Sequence, residues 1–159
     1  MTTETLAEAL EREHNEIDAG LERFSAQPSS ADAVEALRGA MTALRRHIYL
    51  EEEFLFPALR GGGDTAMVAP IFVMLREHGQ MWQSLDDIER GLGDAGDENA
   101  VWTMCHQLLA ALTHHNMKEE RIIYPQADAH VPAEAAVRLA AFIESGKMPL
   151  GWIATKARV

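Results

Sequence analysis

Two stretches of this chain obey one spacing rule, and that rule limits what the chain can fold into more than any other feature. His47, Glu51, Glu52, Phe56 and Pro57 are matched, 68 residues on, by His115, Glu119, Glu120, Tyr124 and Pro125. Each copy reads histidine, three residues, two glutamates, three residues, an aromatic, then proline. A histidine and a glutamate four apart share one helix face, about a turn from each other. Two such helices set together bring two imidazoles and two carboxylates within reach of a pair of metal ions.

The hydrophobic pattern is helical throughout. Leu6, Leu10, His14, Ile17, Leu21 and Phe24 step by threes and fours and predict an amphipathic helix over about 3–25. Pro28, Ser29 and Ser30 end it and cap the next. That second helix spans about 31–60, with Leu37, Ala40, Leu44, His47, Glu51, Phe54 and Ala58 as one unbroken stripe. Pro57 falls in its last turns and is expected to bend it, and the glycines at 61–63 stop it. Pro70 suits only a helix start, so a third helix is expected from about 69, capped by Asp64 or Thr65. Its stripe is Ile71, Met74, His78, Met81, Leu85, Ile88 and Leu92, and a loop is expected from Gly91 to Gly96. The fourth helix, about 97–127, carries Val101, Cys105, Leu108, Leu112, His115, Glu119 and Ile122. A short fifth helix follows over about 132–145. The tail beyond it holds Met148, Leu150, Trp152 and Ile153, too apolar for a solvated terminus, and is expected to pack on the bundle or on a partner.

Four long helices with short connections predict an all-α, antiparallel up-down-up-down four-helix bundle with a short C-terminal fifth helix and tail. One domain is expected over 1–159, with the bundle at about 3–127 and the C-terminal helix and tail at about 132–159. The halves look like a repeat: His14 and His78 are 64 apart, and each half has one lone stripe histidine and then one histidine–glutamate pair.

Charge and composition exclude several functions. A net charge of −11 repels nucleic-acid phosphates and anionic membrane surfaces. No apolar run is long enough for a membrane span, and the N-terminus leads into no signal-like apolar core, so a cytoplasmic location is expected by default. The single cysteine, Cys105, rules out an internal disulfide or an iron–sulfur cluster held by one chain.

Six ionisable groups stand on stripes that should be apolar: His14, His47, Glu51, His78, His115 and Glu119. Any one of the histidines could be a core residue satisfied by a hydrogen bond. Six together, two of them carboxylates, need compensation, because an unpaired buried ion costs on the order of several kcal/mol. No Lys or Arg shares these stripes near the six. Two bound metal ions answer the whole set. Imidazole with carboxylate suits iron, with manganese or zinc as lesser candidates. Glutamate can bridge two ions and histidine can only terminate, so two histidines per ion and two shared glutamates leave room for water, oxide or a small exogenous ligand.

These residues resemble the haemerythrin-like, or HHE cation-binding, family over about 6–127. The shared pattern is a first-helix histidine, His-x3-Glu-Glu with a following aromatic and proline, a third-helix histidine, and the second His-x3-Glu. The resemblance implies a non-haem di-iron centre, oxo- or hydroxo-bridged, with His14, His47, His78 and His115 as terminal ligands and Glu51 and Glu119 as bridges. It implies a small diatomic or peroxide ligand, namely oxygen, peroxide or nitric oxide, in stress response or sensing. Iron handling through a protein partner and simple oxygen carriage are the alternatives, with the tail as the place for partner contact or self-association. Oxygen carriers of this family have a second third-helix histidine four residues from the first. Here Met74 and Trp82 flank His78, which counts against reversible carriage.

Other candidates are set aside. His114 lies about 100° round the helix from His115, and His106 and His130 are expected at the surface. Glu52, Glu53 and Glu120 are expected to face solvent or to accept from neighbouring histidine rings. Tyr124 is expected chiefly to pack in the core.

Overall fold

Thr5 starts the first helix with a reciprocal cap: its hydroxyl accepts from Glu8 N–H, and the Glu8 carboxylate accepts from Thr5 N–H at 2.8 Å. The helix, α1, runs Leu6–Ala26. In the computed structural model, which describes residues 3–61, 65–93 and 97–158, every long element is a helix. Ser30 caps α2 (Ala31–Leu50) by accepting from Ala33 N–H, as expected. A π-helical turn over Glu51–Leu55 and then α3 (Phe56–Arg60) continue the same rod. The long third helix is α4 (Val68–Gly93). Asp97 caps α5 (Glu98–Lys118), which continues through a second π-turn, Glu119–Ile123, into α6 (Tyr124–His130). Then come α7 (Ala133–Ser145), an extended tail and a 3-10 turn at Thr155–Ala157. The expected cap at Asp64, the stop at Gly62 and Gly63 and the loop at 94–96 lie outside the described residues; Gly91 itself is still helical.

The two π-turns correct the sequence reading. Proline has no N–H, and in an α-helix its ring strikes the carbonyl four residues back. Ahead of Pro57 and Pro125 the helix widens by one residue: Phe56 N–H reaches Glu51 O, and Tyr124 N–H reaches Glu119 O. One inserted residue turns everything after it by about 100°. The stripes therefore do not run on through Phe54, Ala58 and Ile122. Leu55, Phe56 and Leu59 are buried on the first rod and Ile123 and Tyr124 on the second, while Ile122 is 45% exposed.

α1 packs along α2 and α5, and α4 along α5. At the α1–α2 seam only glycine fits position 20, since a Cβ there would stand 2.8 Å from Ala40 Cβ and 2.9 Å from Ala36 O. Two apolar cores result. One holds Ile17, Leu21, Leu37, Leu44, Leu85 and Leu108; the other holds Leu10, Leu55, Phe56, Ile71, Met74 and Tyr124. On each stripe the six ionisable residues fall between members of the first core and members of the second. They form a polar layer closed off from water at both ends.

Candidate metal centre

All six residues come together. His14, His47, His78 and His115 are at most 3% exposed, and Glu51 and Glu119 are fully buried. The Nε2 atoms face inward. His14 and His115 each place Nε2 3.2 Å from Glu119 Oε1. His78 Nε2 lies 3.2 Å from Glu51 Oε1 and 3.7 Å from Glu119 Oε2, and His47 Nε2 lies 3.5 Å from Glu51 Oε1. Two groups of four could each hold an ion: His14, His47, Glu51 and Glu119, and Glu51, His78, His115 and Glu119. Within each group the ligand atoms lie within 4.8 Å of one another, and both glutamates are common to the two.

Among the described residues, four buried side-chain polar atoms have no hydrogen-bond partner, and three belong here: Glu51 Oε1, His78 Nε2 and Glu119 Oε2. Orphaned groups this deep cost stability unless something else satisfies them. Two cations would. The donor set is imidazole nitrogen and carboxylate oxygen, which fits iron, manganese or zinc.

The Nδ1 atoms face outward, and each meets a carboxylate. His14 donates to Glu120 at 2.8 Å, His47 to Glu13 at 2.9 Å, His78 to Glu52 at 2.8 Å and His115 to Glu77 at 2.9 Å. A carboxylate behind each imidazole fixes the tautomer with its lone pair on Nε2, the arrangement metal-bound histidines use. Glu52 and Glu120 were expected in such a role or in solvent. Glu13 and Glu77 are new. Their signal was in the sequence, because each directly precedes a stripe histidine, but only the angle between packed helices carries Glu13 to His47 and Glu77 to His115.

The buried glutamates favour the protonated form of three of the histidines. Burial alone would lower His47, yet the Glu51 and Glu13 carboxylates overcome it and raise it to about 10. His78 is raised well above its ordinary value against burial, by Glu119, Glu51 and Glu52. His115 is likewise raised by Glu119 and Glu77. Burial would raise Glu119, but His115, His14 and His78 hold it well below the usual carboxylate range.

Tyr124 is not merely packed. Its hydroxyl donates to Glu51 Oε2 at 2.8 Å, lies 2.8 Å from His14 Nε2 and 3.1 Å from His47 Nε2, and reaches Glu119 Oε1 at 3.3 Å. Burial, reinforced by Glu119 and Glu51, holds the phenol protonated, far above its ordinary value. The matching residue of the other copy, Phe56, stacks on His78 at 5.6 Å and offers no polar atom. The two halves of the centre therefore differ by one hydroxyl.

The residues set aside stay outside. His106, His114 and His130 are exposed. Cys105 is buried far along the first core, where burial pushes its thiol up to about 11. Met74 belongs to one apolar core and Trp82 to the other.

Comparison with known proteins agrees with this chemistry. The Hemerythrin HHE cation binding domain matches residues 5–127. Over 130 residues the chain is 28% identical to the iron-sulfur cluster repair protein YtfE of Yersinia pestis (strain Pestoides F), covering 77% of this chain and 54% of that protein. Its counterpart in Yersinia pseudotuberculosis (serotype O:1b, strain IP 31758) is 27% identical over the same shares. The chain thus spans about half the length of the curated relatives it matches. No solved structure gives a significant match. With the family pattern matched over most of its length, the chain belongs to the Hemerythrin HHE cation binding domain family.

Proposed function

We propose that this chain is a di-iron protein that binds or reacts with oxygen, peroxide or nitric oxide in a cytoplasmic stress response. His14, His47, His78 and His115 are its terminal ligands, and Glu51 and Glu119 bridge the two ions. The reading includes one domain with its four long helices in an antiparallel up-down-up-down bundle. A single observation carries it: two groups of four ligand atoms share both glutamates, and the orphaned buried atoms are concentrated there. Manganese or zinc would fit the same donors, and the family match favours iron.

Bound iron supplies one-electron redox chemistry and coordination positions for a small ligand. The protein does the rest. The two apolar cores keep bulk water from the centre. The four outer carboxylates hold each imidazole with Nε2 inward. Tyr124, protonated and beside His14, His47 and Glu51, is placed to turn its one O–H from Glu51 toward an oxygen atom of an incoming ligand.

The name of the relatives, iron-sulfur cluster repair protein, supports a second reading, in which the centre releases iron for the repair of iron–sulfur clusters. The partial exposure of Glu120 and Glu77, at 30% and 25%, also favours it, because the supports of His14 and His115 are open to water.

The test is elemental analysis of protein purified from cells without added metal, with its optical spectrum in air. Two iron ions per chain are expected, with a ferric absorption that is present in air, is lost on reduction and returns when air is readmitted. Zinc alone, or a single ion, would overturn the di-iron reading. Turnover of peroxide or nitric oxide separates the first reading from iron release to an apo iron–sulfur protein.

A further inference from the structure

Residues beyond 127 lie outside the family match, yet they are wired into the centre. Two hydrogen-bonded chains make the connection. In the first, the Phe142, Ile143 and Gly146 carbonyls at the end of α7 accept from the Arg46 guanidinium. Arg46 Nη1 also donates to Glu13 Oε2 at 3.1 Å, and Glu13 Oε1 accepts from His47 Nδ1. In the second, Thr155 N–H donates to Glu52 Oε1 at 3.0 Å, and Glu52 Oε2 accepts from His78 Nδ1.

The tail is docked firmly enough to do this. Ala154 is fully buried in the first core. Trp152 packs edge-on against Trp82 and Tyr49 and donates to Glu53. Lys156 lies directly on α4: a Cβ at Gly79 would stand 2.8 Å from Lys156 Cβ and 2.9 Å from its carbonyl carbon. Position 79 adjoins His78, so the tail crosses α4 where that helix enters the centre.

The grip is selective. His47 and His78 are the two histidines nearest Glu51 Oε1, and each belongs to a different group of four. Their supporting side chains, Glu13 and Glu52, are 10% and 1% exposed, whereas Glu120 and Glu77 are 30% and 25% exposed, and Glu77 is held by Lys118 of α5 rather than by the tail. A carboxylate pinned from behind cannot swing away from its imidazole.

We propose that the C-terminal helix and tail are a positioning element for the metal centre, with Arg46 and the Thr155 N–H holding Glu13 and Glu52 so that His47 and His78 keep their orientation toward the two ions. The proposal rests on the di-metal reading above.

Thr155→Pro isolates the second chain. Ala154 has ψ 137, which suits a residue before proline, and Thr155 opens the 3-10 turn, where proline's φ fits. The substitution thus removes the N–H, together with the Thr155 hydroxyl that also bonds Glu52, and preserves the turn. Thr155→Ser keeps both donors and serves as control. Gly79→Ala attacks the same contact from the α4 side: it crowds Lys156 while improving helix propensity. Each full-length protein, purified from the same cells, is assayed for iron content, optical spectrum, rate of iron loss to a chelator and helical circular dichroism.

Thr155→Pro and Gly79→Ala are expected to keep their helical signal, shift the ferric absorption and lose iron about 10-fold faster, the scale on which loss of a histidine's supporting partner acts. Thr155→Ser should match the parent. If Thr155→Pro loses its helical signal, Gly79→Ala decides on the same readouts. Unchanged spectrum and iron loss in the folded variants would overturn the positioning role. A parent protein that holds no metal would overturn the di-metal reading instead.

Discussion

Tyr124 and Phe56 stand at the same offset from their glutamates and differ by one oxygen. That oxygen touches both histidines of one group of four and Glu51. Tyr124→Phe should leave the metal content unchanged, since none of the six proposed ligands changes. It should destabilise the metal-free protein by about 1–3 kcal/mol, the usual cost of stripping a buried acceptor of its donor. The ferric spectrum with a bound small ligand should shift as the hydrogen bond disappears. An unchanged spectrum and an unchanged metal-free melting curve would show that the hydroxyl is incidental. A second contrast tests the inner against the outer carboxylates. Glu51→Ala and Glu119→Ala should each abolish the metal pair, because each serves both groups of four. Glu52→Ala and Glu120→Ala should retain both ions with affinity reduced about 10–100-fold. Equal iron retention in all four, measured by elemental analysis after dialysis, would mean that the inner and outer roles are misassigned.

At the scale of the helix, the π-turns set the centre apart from a plain α-helical core. Each begins at an inner glutamate and ends at the residue before an aromatic–proline pair. Heptad-like stepping put His47, Glu51, His115 and Glu119 on the inner face because they stand before the widened turn or at its first residue. It failed at Phe54, Ala58 and Ile122 because they follow it. The Tyr124 hydroxyl reaches His14 and Glu51 in the phase that the turn creates. Pro125→Ala restores an N–H and removes the clash with the Arg121 carbonyl. The expected result is unchanged or slightly higher helical circular dichroism together with lower iron content, as the turn relaxes toward α geometry and Tyr124 rotates away. Full iron content in that variant would show that packing alone holds the wide turn.

For the molecule as a whole, metal, protons and stability are linked. Without metal, His47, His78 and His115 are raised above their ordinary value of 6.5. A raised histidine contributes stability that is fully present below 6.5 and is lost as pH climbs through its folded value, about 10 for His47. Glu119, Glu13, Glu52 and Glu77 are lowered. Their contribution is present above the ordinary 4.5 and is lost as pH falls, for Glu77 through about 2. Metal-free protein should therefore be most stable between about 4.5 and 6.5. Metal needs the imidazoles neutral, so its binding displaces protons and strengthens as pH rises. The melting temperature of the metal-loaded form should exceed that of the metal-free form at pH 7, and the gap should widen from pH 6 to pH 9. A gap that is constant or narrows over that range, in paired thermal melts, would contradict a proton-balanced buried centre. No helix among the described residues is long and apolar enough to cross a membrane, and the net charge is −11.

The sequence by itself determined the helices, the six inward residues and the family. Period and spacing are local properties: a histidine, a glutamate four residues on and the apolar residues between lie on one face whatever the rest of the chain does. It also carried the prolines that follow the wide turns, though not the change of phase there. Only the tertiary structure decided which carboxylate backs which histidine. Glu13 serves His47 rather than its neighbour His14, and Glu77 serves His115 rather than His78. It decided likewise that Tyr124 points its hydroxyl at Glu51, and that Thr155, more than a hundred residues along the chain from Glu52, pins that carboxylate. Those pairings join atoms on different helices, and they depend on crossing angles and on the path of the tail, which no local spacing specifies.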